Sequence, residues 1–136
     1  MNFRKFLTAG FVGGIVIAII SLLVDRIVQV FWPYDVLSLG GMRAAEDPFM
    51  LLFFLHYWVI SFAMAYVWRE IHVFFPGDAA MHDRRFGLLV WIMAGLPSSY
   101  VVYTSMNYPL GFTVSSVVGS FAYMVAAGAV VVRLME

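Results

Sequence analysis

The chain has 136 residues, of which 63% are hydrophobic and 12% are charged, and its formal net charge is zero. Soluble proteins carry about 25% charged residues, so this composition predicts a protein that lies in a lipid bilayer. Because the chain has no cysteine, disulfides, thiol catalysis and zinc–thiolate sites are excluded. The balanced charge offers no basic surface to a nucleic acid, so we expect no nucleic-acid partner.

Four long apolar runs predict four transmembrane helices, since a helix needs about 20 mainly apolar residues to cross roughly 30 Å of hydrocarbon. Trp32 and Pro33 end the first run, Asp47 and Pro48 begin the second, and Pro109 precedes the fourth. We therefore predict an all-α integral membrane protein: a single domain over residues 1–136 that forms an antiparallel four-transmembrane-helix bundle. Its approximate spans are 6–32, 48–75, 86–103 and 110–132.

Basic residues predict the orientation of this bundle, because lysine and arginine near the ends of spans are enriched on the cytoplasmic side. The predicted external side has Arg43, with Arg26 near the end of the first span, whereas most basic residues lie on the other side. We therefore expect a multi-pass protein of the cell (plasma or inner) membrane with both termini in the cytoplasm. The residues on the predicted cytoplasmic side are Arg4, Lys5, Arg69, Arg84, Arg85 and Arg133.

Small residues predict where helices pack closely, because in lipid the close approach of backbones supplies much of the contact energy. In the first predicted helix Gly10, Gly14 and Ala18 recur at every fourth position, and in the fourth helix Gly119 follows Ser115 at the same spacing. These stripes are typical either of packing within one bundle or of a dimer face, and we favour packing within the bundle.

Asp25 and His56 are ionisable residues inside predicted spans, where charge is costly and tends to mark function. At about 100° per residue, Asp25 continues the face of Gly10, Gly14 and Ala18, so it should face the bundle interior. His56 lies about as far inside the start of the second helix as Asp25 lies inside the end of the first. Antiparallel neighbours should therefore bring the two side chains to one level.

Other polar residues are expected in the same outer layer, and Pro97 predicts a kink there in the third helix. We predict a polar, outward-facing pocket in this layer. Its expected members are Asp25, His56, Tyr57, Ser98, Ser99, Tyr103, Thr113, Ser115 and Ser116.

The expected pair of Asp25 and His56 has two interpretations, and the sequence leaves both open. It could carry protons, bind a cation or orient a ligand. It could instead be a satisfied buried hydrogen bond that fixes the register of two helices. The structural interpretation is the simpler one, because a single pair of this kind is a weak signal of function.

Two connections carry further polar residues. The loop over residues 34–47 contains a Gly-Gly pair and could be a lid over the pocket or a simple surface connection. The predicted cytoplasmic connection contains His72, Asp78, His82 and Asp83, but their spacing matches no recognised metal site. The two aspartates are interpreted as helix caps, and we predict no metal and no cofactor.

No recognised enzyme motif occurs in the chain, so an enzyme is not the favoured class. The working hypothesis is a transport- or channel-type component that uses the pocket around Asp25 and His56. Since four helices rarely enclose a pore, this component should be a homo-oligomer. One alternative is a non-catalytic accessory or scaffolding subunit that binds another membrane protein. A further alternative is a small intramembrane enzyme, or a dimer in which His56 and its copy hold a haem.

Overall fold

The computed structural model describes residues 2–75, 77 and 79–136, and within them all regular structure is helical, with no strand. A π-helical turn, Trp91–Gly95, joins α4 to α5, and short 3-10 turns follow α1 and α3 at Val36–Ser38 and His72–Phe74. The α-helices are α1 (Phe3–Phe31), α2 (Met50–Phe54), α3 (His56–Ile71), α4 (Ala79–Val90), α5 (Leu96–Ser105) and α6 (Leu110–Met135).

Three helical segments among the described residues are long and apolar enough to cross a membrane: Phe3–Phe31, Met81–Ser105 and Leu110–Met135. They correspond to the predicted first, third and fourth spans. The predicted second span, 48–75, is divided into α2 and α3 by a break at Leu55. The break coincides with a contact between His56 Nδ1 and the carbonyl oxygen of Phe53, which in an uninterrupted α-helix accepts from the amide four residues later.

The long helices run in alternate directions, so the two ends of the chain lie together. Lys5 Nζ, near the start of α1, donates to the carbonyl of Glu136, at the end of α6, over 2.8 Å. At the opposite end the ring of Tyr34, just after α1, lies 6.0 Å from that of Phe112, near the start of α6. We call these the terminal end and the pocket end of the bundle. α1 packs against α3 and α6, and α4 packs against α6.

The glycine stripe of α1 is covered by α3 of the same chain. A Cβ on Gly10 would collide with the ring of Phe62, and one on Gly14 would collide with the indole of Trp58. Ala18 packs, partly buried, against the same core. These positions therefore serve close packing within one bundle. Gly119 is less crowded, because a Cβ there would meet Val24 Cγ1 of α1 at an ordinary 3.6 Å.

A close backbone approach joins α4 to α6 at Gly87 and Gly128. A Cβ on Gly87 would lie 2.6 Å from the carbonyl oxygen of Met124, and a Cβ on Gly128 would lie 2.6 Å from Gly87 Cα. Both obstacles are backbone atoms, which cannot turn aside as a side chain can. The segment Met81–Ser105 therefore packs closely on α6 through a pair of glycines.

The core and the outer surface of the bundle are both apolar. Ile17, Trp68, Phe86 and Val131 are almost completely inaccessible. Large apolar side chains also point outward, with Val30 of α1, Leu51 of α2 and Met93 of the π-helical turn each more than 70% exposed.

A π-helical turn precedes Pro97, where the sequence predicts a kink. In this turn the amide of Leu96 donates to the carbonyl of Trp91, five residues back. Such turns occur mostly as local insertions in α-helices. The indole of Trp91 is held to α6 by a 3.1 Å hydrogen bond from its Nε1 to Ser120 Oγ.

Candidate functional site

A cavity of about 360 Å³ lies at the pocket end of the bundle, between α1, α3, α6 and the segment that follows α1. Ligand pockets in proteins commonly have volumes of about 300 to 1,000 Å³ and are mainly apolar with a few placed polar groups. Six of the fourteen lining residues are Phe or Tyr. The walls are formed by Ser21, Leu22, Asp25, Tyr34, Val36, Leu37, Phe53, Phe54, His56, Tyr57, Phe112, Ser115, Ser116 and Tyr123.

The Asp25 carboxylate joins three parts of the chain on one wall of this cavity. Gln29 Nε2, one turn further along α1, donates to Oδ2 over 2.7 Å. Ser115 Oγ of α6 donates to Oδ1 over 3.2 Å, and the hydroxyl of Tyr34 also donates to Oδ1. All three donors are uncharged, so no cationic side chain among the described residues neutralises the carboxylate.

Tyr34 reaches Asp25 because the chain turns back after α1. Asp35 stabilises that turn, since its carboxylate accepts from the amide of Leu37 over 3.0 Å. Burial, followed by the hydrogen bond to Asp25, raises the pKa of the Tyr34 phenol to about 12. The hydroxyl therefore remains a proton donor to Asp25 throughout the physiological range.

His56 lines another part of the same cavity through a ring that is held by its own backbone. Because Nδ1 faces the carbonyl oxygen of Phe53, which can only accept, Nδ1 is the donor of this contact. The ring centroid lies 4.0 Å from that of Tyr57 and 5.0 Å from that of Phe53. Within the described residues no hydrogen bond or ion pair joins His56 to Asp25, although both side chains line one cavity.

Five of the nine predicted pocket residues line the cavity: Asp25, His56, Tyr57, Ser115 and Ser116. The other four do not. Ser99 is buried beside the wall, with its Oγ 3.0 Å from Ser116 Oγ. Thr113 is half-buried elsewhere on α6, while Ser98 and Tyr103 are exposed. α5 packs on α6 and the π-helical turn, so the rest of its surface faces outward.

Most of the aromatic wall and two of Asp25's partners were missing from the predicted pocket. Gln29 could have been found, because it lies four residues after Asp25 and therefore on the same helix face. Tyr34 and Phe112 are brought to Asp25 only by the turn after α1 and the arrival of α6.

The loop over residues 34–47 contributes its first residues to the cavity wall, at Tyr34, Val36 and Leu37. It turns at Gly41, whose φ of +87° favours glycine. Tyr108 then fixes the loop, because its hydroxyl donates to the carbonyl of Gly40 over 3.0 Å. The start of this loop therefore forms part of the site.

The terminal end holds a separate polar cluster. Arg133 Nη2 and Nε lie 2.8 and 3.0 Å from Asp83 Oδ2, and the Asp83 side chain is almost inaccessible. The interpretation of Asp83 as a helix cap is wrong, because it lies inside α4 and faces α6. His82 Nδ1 lies 2.8 Å from Glu136 Oε1. Asp78 lies outside the described residues.

No group of three or more His, Asp or Glu side chains that could hold a metal ion occurs among the residues the structure describes. The chain matches no family model, and no curated protein or solved structure is similar to it.

Proposed function

We propose that the chain is an integral membrane protein with four crossings and cytoplasmic termini. Apolar side chains cover its outer surface. Exposed apolar patches of this extent are typical of surfaces that contact lipid or another protein, and lipid would bury them here. α2 and α3 together supply the remaining crossing, which is the second in chain order. His56 at the start of α3 lines one cavity with Asp25, and Trp68 near its end lines another with Lys5, so α3 extends alongside α1 from the pocket end toward the terminal end.

We propose further that the protein is a transport- or channel-type component that admits a solute at the pocket end. The observation that carries this proposal is the cavity of about 360 Å³ whose wall holds Asp25 without a cationic partner among the described residues. A carboxylate at the level of a predicted span is costly unless it is paired or used. The cavity faces the external side in the proposed orientation.

A continuous path across the membrane would require more than the static bundle. Ile17, halfway along α1 between the two ends, is completely inaccessible and lies in the core with Ala65. We therefore propose a homo-oligomer, or a second conformation, as the transporting state. Because α3 covers Gly10 and Gly14, the contact between copies would use another face. Native mass spectrometry of the protein in lipid nanodiscs would measure the oligomeric mass.

The transport proposal is tested by electrical recording from proteoliposomes adsorbed to a solid support. Concentration jumps of protons, sodium and choline would be applied to the wild type, to Asp25→Asn and to Glu46→Gln. Glu46→Gln is the matched control, since it removes an equal charge from an exposed residue of the external loop. We expect at least one ion to produce a current that Asp25→Asn abolishes and Glu46→Gln preserves. Folded wild-type protein that gives no current with any of the three would contradict the proposal.

An accessory subunit is the second candidate, and the outward face of α5 favours it. Tyr100 and Tyr103 are 68% and 62% exposed on a helix that packs on one neighbouring long helix. Aromatic residues with a polar tip are enriched at protein interfaces. A photo-crosslinking residue at position 103 should then yield a defined adduct with another membrane protein, whereas one at Leu23, on the exposed side of α1, should not.

A further inference from the structure

We propose that the cavity at the pocket end binds an organic monocation, a substituted ammonium ion, with Asp25 as its counter-charge and aromatic rings as its cage. This inference rests on the transport proposal for its biological meaning, but it concerns binding alone and can be tested separately.

The cavity wall carries a negative charge and no fixed positive one among the described residues. Asp25 is the acidic residue on the cavity wall, and no lysine or arginine of the described chain lines it. The neighbours of the carboxylate are the neutral hydroxyls of Tyr34 and Ser115 and the amide of Gln29. His56 forms no ion pair with the carboxylate among the described residues, because its Nδ1 faces the carbonyl oxygen of Phe53. A cationic ligand would therefore meet a charge that the protein leaves unpaired there.

The walls of the cavity are rich in aromatic rings. A positive charge over the face of an aromatic ring, within about 6 Å of its centroid, is attracted by the ring quadrupole, and quaternary ammonium ligands are recognised in this way. Six of the residues that line the cavity carry such rings. They are Tyr34, Phe53, Phe54, Tyr57, Phe112 and Tyr123.

The polar groups of the cavity suit an organic cation better than a metal ion. Calcium takes about six to eight oxygen ligands and magnesium keeps near-octahedral oxygen geometry. The cavity presents one carboxylate and scattered hydroxyls among rings and aliphatic side chains such as Leu22 and Leu37. An organic cation with apolar substituents can pair with the carboxylate and also contact the apolar wall. A small hydrated ion can make only the first of these interactions.

The test uses radiolabelled choline and full-length protein in nanodiscs of zwitterionic lipid. Unlabelled choline should compete for a saturable site, whereas 3,3-dimethyl-1-butanol should not, since this alcohol has the shape of choline without its charge. Asp25→Asn should weaken binding by about tenfold or more through loss of the counter-charge, and Glu46→Gln should leave binding unchanged. Equal competition by the neutral alcohol, or unchanged binding by folded Asp25→Asn, would overturn the inference, as would the lack of any saturable site.

A second pair of variants covers the case in which Asp25→Asn fails to fold. Leu37 lines the cavity from the 3-10 turn after α1 and is 45% exposed, so its replacement changes no residue of the long helices. Leu37→Arg should weaken choline binding by adding a like charge, whereas Leu37→Gln should retain it. Identical affinities for these two variants would count against the cationic ligand. Choline binding without current would refute the transport proposal alone, and currents carried by other ions without choline binding would refute the ligand class alone.

Discussion

The hydroxyl of Tyr34 donates to the Asp25 carboxylate, and this bond ties the segment after α1 back onto α1 at the cavity wall. The expected partner of Asp25 was His56, which instead bonds to its own backbone at Phe53. The energetic coupling of Asp25 should therefore follow the observed contacts.

Tyr34→Phe and Asp25→Asn should be strongly coupled in their effects on the free energy of unfolding. Tyr34→Phe removes the donor and Asp25→Asn removes the charge that strengthens this hydrogen bond, so the double variant should be less destabilised than the sum of the single changes by about 1 to 2 kcal/mol. Asp25→Asn and His56→Gln should be nearly additive, because no bond joins these residues. Denaturant unfolding of the single and double variants in one detergent measures both double-mutant cycles. Strong coupling in the Asp25–His56 cycle together with additivity in the Tyr34 cycle would reverse this assignment.

The raised pKa of Tyr34 predicts an effect of alkaline pH. Its phenol titrates at about 12 in the folded chain, against 10.0 when unperturbed. The contribution of this shift to stability is fully present below pH 10 and is lost as the pH rises toward 12. A difference titration of tyrosinate absorbance between the wild type and Tyr34→Phe should show one late-titrating phenol. If the phenol lost in Tyr34→Phe instead titrates together with the exposed tyrosines, the hydrogen bond to Asp25 would be contradicted.

Gly87→Ala and Gly128→Ala should each destabilise the bundle by about 1 to 3 kcal/mol, since the added methyl group meets backbone of the facing helix. Gly119→Ala is the matched control in α6, because its methyl group would make ordinary contact with Val24. Thermal denaturation in mild detergent would rank the three variants. Equal tolerance of all three would mean that α4 and α6 do not approach as closely as described.

Arg133→Gln should destabilise the terminal end by about 1 to 3 kcal/mol, because it leaves the buried Asp83 carboxylate without its cation. Arg85→Gln, at an exposed position of the same end, should have little effect. Adding Asp83→Asn to Arg133→Gln should recover part of the loss, since a neutral amide is less costly to bury. A double variant as unstable as the summed single changes would exclude the ion pair as the cause.

The proposed orientation predicts that tags at both ends of the chain face the cytoplasm and that a tag in the 34–47 loop faces outward. Protease accessibility in sealed, right-side-out vesicles should degrade the loop tag and spare both terminal tags. Degradation of a terminal tag in intact vesicles would refute four crossings with cytoplasmic ends.

The sequence by itself determined the all-helical class and the three long apolar segments, because run length and punctuation by proline and glycine are local properties. It also found Asp25, since helical periodicity places this residue on the face of Gly10 and Gly14. Five predicted pocket residues line the cavity because they lie at one depth and face the helices they pack against. Tertiary structure alone decided the rest. The depth of a residue along a helix does not determine which way its side chain points. Ser98 and Tyr103 lie at the predicted level, but their side chains face outward from α5. Contacts such as Asp83 with Arg133, Gly87 with Gly128 and Tyr34 with Phe112 join residues far apart in sequence, and only the packing of α6 against α1 and α4 brings them together.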